Sequence, residues 1–261
     1  MLSQRQHKLD AVVAWLQLRY GPQAVGRAAA LPPAPSPIAT AFAGLDAILG
    51  DGGSCPGRSE GLPRGRISEI IGAPTSGKVT LAAKILAAAH QEPEALVAWL
   101  DLGRTCDPDY LHRCGLDLDR LLIVRPADGV DALAIMLHLV ESDTLAALVF
   151  DGLMDLRQDM GRTGSGIGSR LAGTLERLAT AVTRTGTAVI FLTEPQAEYR
   201  TLAHLATLRL AVRRERWIMQ GPDVRGYESI VKVVKHRLRR AGAEAPIQIT
   251  FDGTVKGDGM L

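Results

Sequence analysis

The nine residues Gly72-Ala73-Pro74-Thr75-Ser76-Gly77-Lys78-Val79-Thr80 constrain this chain more than any other stretch. They follow the apolar run RISEII (66–71) and open an Ala- and Leu-rich segment, 78–91, so GxxxxGK lies between a predicted strand and a predicted helix. In that context backbone N–H groups and the helix N-terminus cradle phosphate oxygens, while the lysine reaches the terminal ones. A strand ending in such a loop begins a βαβ unit, and the rest of the sequence agrees. Predicted strands at 96–100, 121–125, 145–150 and 187–193 alternate with predicted helices at 107–114, 129–142 and 168–185. The expected fold is therefore α/β, a mostly parallel twisted sheet with helices on both faces. Near the C-terminus 205–213, 228–238 and 246–251 read as strands with no helices between them, so the sheet should finish antiparallel.

A chain of 261 residues that is 46% hydrophobic can bury a sizeable core. With 30 Lys and Arg against 28 Asp and Glu, the net charge of +2 announces no polyanion partner, so such a partner needs local clusters. Cys55, Cys106 and Cys114 form no CxxC pair, which argues against a disulfide framework and a structural zinc site. No apolar run approaches the roughly eighteen residues of a membrane span, and Arg5, Lys8, Asp10 and Arg19 interrupt the first twenty positions. A soluble, cytoplasmic protein with no membrane partner is expected. Residues 4–20 place Leu9, Val12, Val13, Leu16 and Leu18 on an amphipathic helix closed by Gly21-Pro22. The Ala/Pro-rich AAALPPAPSPIAT then reads as an extended linker, giving an arm over 1–37 and a core over 38–261. The Gly-rich segments 50–63 and 157–168 read as loops.

The phosphate loop departs from its pattern at one position. Val79 stands where a magnesium-binding Ser or Thr follows the lysine, and Thr80 is turned about 100° around the helix. Strand 145–150 runs into Asp151, the place of the carboxylate that holds magnesium through water in phosphate-loop proteins. The expected magnesium site is thus a weakened one.

Together with GLPRGRISEIIG (61–72), WLDLGRTCDPDYLHRCGLDLDRLLIVRP (99–126) and GYESIVKVVKHR (226–237), these residues resemble the bacterial RecA recombinases over nearly the whole chain. The resemblance implies a RecA-like phosphate-loop core with ATP and magnesium as cofactors. It implies that Asp107 and Tyr110 form the adenine site, the carboxylate accepting from the amine and the ring stacking on the base. It places Lys235 and Arg237 as a basic pair reaching a neighbouring subunit's terminal phosphate, in a filament or oligomer whose N-terminal arm docks on the next copy. It sets 157–168 where RecA has its first DNA-binding loop, so Arg162, Arg170 and Arg177 are the expected contacts to single-stranded DNA. Helix-cap, edge-strand and surface roles are the structural alternatives for these residues. The small C-terminal domain of RecA has no counterpart before Leu261.

Three departures bear on turnover. RecA's general-base glutamate falls at Gly103, its γ-phosphate-sensing glutamine at Glu194, and its metal-binding hydroxyl at Val79. Loss of a positioned base removes about 10²–10⁴ in rate, although Glu194 offers a carboxylate from the adjacent strand. The resemblance therefore implies an ATP- and single-stranded-DNA-binding protein of DNA repair, recombination and the SOS response, with weak or no hydrolysis. The alternative it implies is an ImuA-type accessory scaffold beside an error-prone DNA polymerase in damage-induced mutagenesis.

Overall fold

The computed structural model describes residues 2–22, 24–26, 35–50, 60–156, 166–196, 199–237, 239–251 and 255–256. The chain divides into two compact units, Met1–Pro35 and Ser36–Leu261. In the first, α1 (Leu2–Tyr20) is followed by Gly21 at φ 96°, whose N–H donates to Gln17 O at 2.9 Å. That left-handed residue ends the helix where a side chain would be strained. The Gln17 amide donates to Val25 O at 2.7 Å and folds the following turn back.

The second unit is a nine-stranded sheet in the order β3-β2-β4-β5-β1-β6-β7-β8-β9, counted among the described residues. Its strands are β1 (Ile67–Gly72), β2 (Leu96–Asp101), β3 (Leu121–Val124), β4 (Leu145–Asp151), β5 (Ala188–Thr193), β6 (Leu208–Gln220), β7 (Asp223–His236), β8 (Glu244–Phe251) and β9 (Val255–Lys256). β1 to β6 pair in parallel and β7 to β9 are antiparallel. The helices are α2 (Ala43–Leu49), α3 (Lys78–Ala89), α4 (Pro108–Arg113), α5 (Gly129–Glu141), α6 (Gly166–Thr185) and α7 (Arg200–Leu205).

Alternation along the central strands explains why both faces are covered. Val97, Trp99, Ala147, Val149 and Ile190 belong to one apolar cluster with α2, α3 and α4. Their neighbours Ala98, Leu100, Leu148, Phe150 and Phe191 belong to a second cluster with α5, α6 and α7. Among the described residues no helix is long and apolar enough to cross a membrane.

The structure corrects the sequence reading in three places. Residues 200–205 are helix α7, and β6 begins only at Leu208, so the strand expected over 205–213 starts late. β6 and β7 run on to Gln220 and Asp223, a hairpin much longer than 205–213 and 228–238. Past the sheet core both faces of this hairpin are exposed, so it carries no apolar alternation to read. Seven residues, Ala43–Leu49, form an unexpected helix, which buries Leu45 and Leu49 in the cluster that holds Ile247 and Ile249.

Candidate functional site

The phosphate loop leaves the C-terminal end of β1 and enters α3 at Lys78. Two residues of the loop take left-handed backbone, Thr75 at φ 64° and Gly77 at φ 97°. Ser229 Oγ on β7 donates to Ser76 O at 2.7 Å and ties the loop to the antiparallel strands. Arg214 on β6 donates to Thr75 Oγ1 at 3.2 Å, with its guanidinium 4.3 Å from the centre of the Trp217 ring.

A cleft of about 620 Å³ opens beside this loop at the carboxyl ends of the parallel strands, where open α/β sheets hold their ligands. Pro74, Thr75, Gly77, Lys78, Val79 and Thr80 line one side; Asp151, Gly152, Asp155 and Glu194 line another. Thr105, Tyr110 and Tyr227 also line it, with Leu153, Met154 and Leu192. Lys78 Nζ donates to Gly72 O at 2.8 Å and to Thr193 O at 3.3 Å, and lies 3.8 Å from Glu194 Oε1. Burial pulls the Lys78 ammonium below its ordinary range, while the Glu194 and Asp151 carboxylates oppose that shift. Burial pushes the Asp151 carboxyl up to about 6; Lys78 opposes this, whereas Asp101 and Asp155 add to it.

Thr80 is directed away from a metal role. Its hydroxyl is 2.5 Å from the Tyr110 hydroxyl and 3.2 Å from the Tyr227 hydroxyl, and the residue is buried. Both tyrosines are held between this contact and the cleft. Asp107 does not line the cleft: it caps α4, accepting from Asp109 N at 3.0 Å. Gly72, Ala73 and Ser76 likewise lie outside the cleft lining, Ala73 and Ser76 facing a second depression with Arg213 and Arg214.

The remaining residues singled out in the sequence lie elsewhere. Lys235 Nζ donates to Ala203 O at 2.6 Å and His204 O at 2.8 Å, and Arg237 donates to His204 O, so both cap the C-terminal carbonyls of α7. Arg170 and Arg177 are exposed on α6, with Arg177 3.5 Å from Glu141. Arg162 lies outside the described residues. Gly103 follows β2, where an added Cβ would sit 2.8 Å from Asp155 Oδ2.

The sequence reading missed Tyr227, Asp155 and Arg214. Tyr227 lay in a quoted run, but only the folded hairpin brings it 147 residues back along the chain to Thr80. Asp155 had a signal, a second carboxylate four residues after Asp151.

The residues present suit a nucleoside triphosphate. The loop and Lys78 would face its phosphates, and the rings of Tyr110 and Tyr227, whose hydroxyls meet Thr80, line the same cleft. For a divalent cation the donors are few. Val79 offers no oxygen, the Thr80 hydroxyl is engaged, and no group of three metal-ligating side chains exists among the described residues. Asp151 is then the strand-end carboxylate for a magnesium ion that otherwise keeps water and phosphate oxygens.

Comparison with known proteins places this chain in a family. The RecA N-terminal domain matches residues 35–256. Protein RecA of Streptomyces avermitilis is 30% identical, over 98% of this chain and 71% of that one. Protein RecA of Leifsonia xyli subsp. xyli is 31% identical, over 98% of this chain and 75% of that one. The crystal structure of the RadB recombinase superposes with a TM-score of 0.62 over 82% of this chain and 96% of that one, at 20% identity. The extent of the domain match and the identity to these relatives lead to one conclusion: the chain belongs to the RecA family.

Proposed function

We propose that this protein binds ATP with magnesium in the cleft beside Lys78, binds single-stranded DNA, and acts in DNA recombination or repair with slow ATP turnover. One observation carries the reading: in a RecA-family chain the phosphate loop, Lys78 and Asp151 face a single cleft. Bound ATP supplies a terminal phosphoryl group that can pass to water. Lys78 would hold the terminal phosphates, Asp151 the hydrated magnesium ion, and Tyr110 with Tyr227 the base end. Among the described residues Lys78 is the one Lys or Arg lining the cleft, against Asp151, Asp155 and Glu194. A triphosphate entering such a site needs magnesium to offset that excess of negative charge.

The experiment is ATP binding and hydrolysis by the purified protein, with and without magnesium and single-stranded DNA, beside Lys78→Ala. Lys78-dependent binding with slow turnover is expected. The absence of binding would overturn the reading and leave the accessory scaffold beside a DNA polymerase. That second reading draws on the engagement of Thr80 by two tyrosines, which takes one oxygen away from a metal ion.

DNA contact is assigned to the exposed face of α6 with Arg170 and Arg177, and to the segment of Arg162. Each single-strand phosphate neutralised contributes about −0.7 to the slope of log affinity against log salt. A double Arg170→Ala, Arg177→Ala variant should therefore lose about 1.4 units of slope. An unchanged slope would remove α6 from the interface. Self-association is assigned to α1, where Leu9, Val12, Trp15 and Leu18 are exposed, and to Lys235 and Arg237. To reach a neighbour's phosphate, that basic pair must leave the α7 carbonyls.

A further inference from the structure

We infer that Asp155 is the carboxylate that orients and deprotonates the attacking water when ATP is hydrolysed in this cleft. The inference rests on the ATP-binding reading above and adds to it the residue that acts on the water.

Asp155 stands one turn beyond the end of β4, its backbone N–H donating to Gly152 O at 3.0 Å. Its side chain lines the same cleft as Lys78 and Asp151 and is half-buried. Two glycines make room for it. A Cβ at Gly103, just past β2, would lie 2.8 Å from Asp155 Oδ2, and a Cβ at Gly152 would lie 3.1 Å from the same oxygen. Gly152 also needs its left-handed backbone, at φ 103°. The carboxylate thus occupies a notch between the ends of two neighbouring parallel strands, and a side chain at position 103 would displace it.

The other carboxylates nearby are committed. Asp101 is fully buried and accepts from Thr105 N at 2.8 Å, Cys106 N at 3.2 Å and Arg125 Nε at 3.1 Å. Glu194 faces the Lys78 ammonium at 3.8 Å. Asp151 is the strand-end group whose charge interacts with Lys78. Asp155 makes no hydrogen bond or ion pair from its side chain among the described residues, so its oxygens are available to a water. A half-buried carboxylate with free lone pairs, in a cleft built to hold phosphates, is suited to general-base work. In the step, the water oxygen attacks the γ-phosphorus and the bond to the β–γ bridging oxygen breaks. Its electron pair leaves with ADP, and the water proton passes to Asp155 and then to solvent. The products are ADP and orthophosphate.

The test uses the full chain with ATP and magnesium, reading phosphate release and, separately, ATP affinity. Asp155→Asn should lower kcat by at least about 10²-fold while ATP affinity stays the same or rises, since one negative charge leaves the cleft. Asp155→Glu should recover part of the rate. Gly103→Ala should also lower kcat, because its methyl group competes for the space of the carboxylate. A fall in kcat with ATP affinity and the thermal unfolding midpoint unchanged is a result that a packing role would not produce. Turnover by Asp155→Asn within about threefold of the parent overturns the inference. So does a parent protein that binds ATP through Lys78 without any turnover, an outcome that leaves the ATP-binding reading standing. Absence of ATP binding removes both.

Discussion

Thr80 shows how much a single hydroxyl decides here. From sequence it is the nearest oxygen to the metal position that Val79 cannot fill; in the fold it joins Tyr110 of α4 and Tyr227 of β7. Thr80→Val keeps the shape and leaves two phenols short of a partner, so stability should fall by about 1–3 kcal/mol in denaturant unfolding. The magnesium dependence of ATP affinity should not change; a change would return Thr80 to the metal. His90 supports a second prediction. Its ring accepts from Asp117 N at 3.3 Å through Nδ1 and lies 3.3 Å from Arg120 O through Nε2, an arrangement that fits the neutral tautomer. Burial chiefly lowers its pKa from the ordinary 6.5. The unfolded chain then binds more protons below that value, so stability should decline as pH falls through about 6.5 and under. In His90→Gln, which cannot titrate, that part of the acid slope should disappear from a pH series of unfolding curves. The places of Lys78 and Asp151 in the cleft were legible because they depend on local order along the chain. Tyr227 was not, because its surroundings are assembled from distant segments; Asp155, four residues after Asp151, is marked out only by the approach of Gly103 from the neighbouring strand.

At the scale of elements, strands with apolar side chains on both faces announced themselves, and the polar ones did not. β4 and β5 read directly as LAALVF and TAVIFLT. The far half of the β6–β7 hairpin carries Arg213, Arg214 and Arg216, residues whose strand character comes from pairing rather than pattern, with the register shifting at Glu215 between them. What steadies it is aromatic. Trp217 meets Tyr227 edge-on at 6.0 Å, and Tyr227 meets Phe251 of β8 at 5.7 Å. Through Tyr227 and Arg214 this outer surface also touches α3 and the phosphate loop. Gly226 pairs with Thr250 where β7 runs antiparallel to β8, and a Cβ there would fall on the carbonyl oxygen of Ile249. Gly226→Ala should therefore cost at least about 2 kcal/mol. It should also weaken ATP binding, because β7 carries both Tyr227 and Ser229. Thermal unfolding and ATP titration of the one variant check both effects, and a neutral substitution would mean that the two strands slide apart without cost.

For the whole molecule, the two apolar clusters set what can be removed. Both are built from residues of the second unit, the first of them Ile38, which pairs with Leu62 through reciprocal backbone hydrogen bonds at 2.9 and 2.7 Å. The Pro-rich stretch before it was read as a linker because proline neither continues a helix nor donates to a sheet; residues 27–34 lie outside the described residues. The helix ahead of it was legible from its spacing, whereas what it docks on was not, since an exposed apolar stripe names no partner. Deleting residues 1–35 takes nothing from either cluster, so the remaining 36–261 should unfold within about 4 °C of the full chain, a difference under roughly 1 kcal/mol for a domain of this size. Self-association, if α1 carries it, should vanish in the same protein. Sedimentation velocity beside a thermal melt separates the two effects. A preserved melting temperature with loss of the larger species assigns α1 to assembly. A large drop in melting temperature would mean that the arm stabilises its own core, and a preserved larger species would move the contact to Lys235 and Arg237.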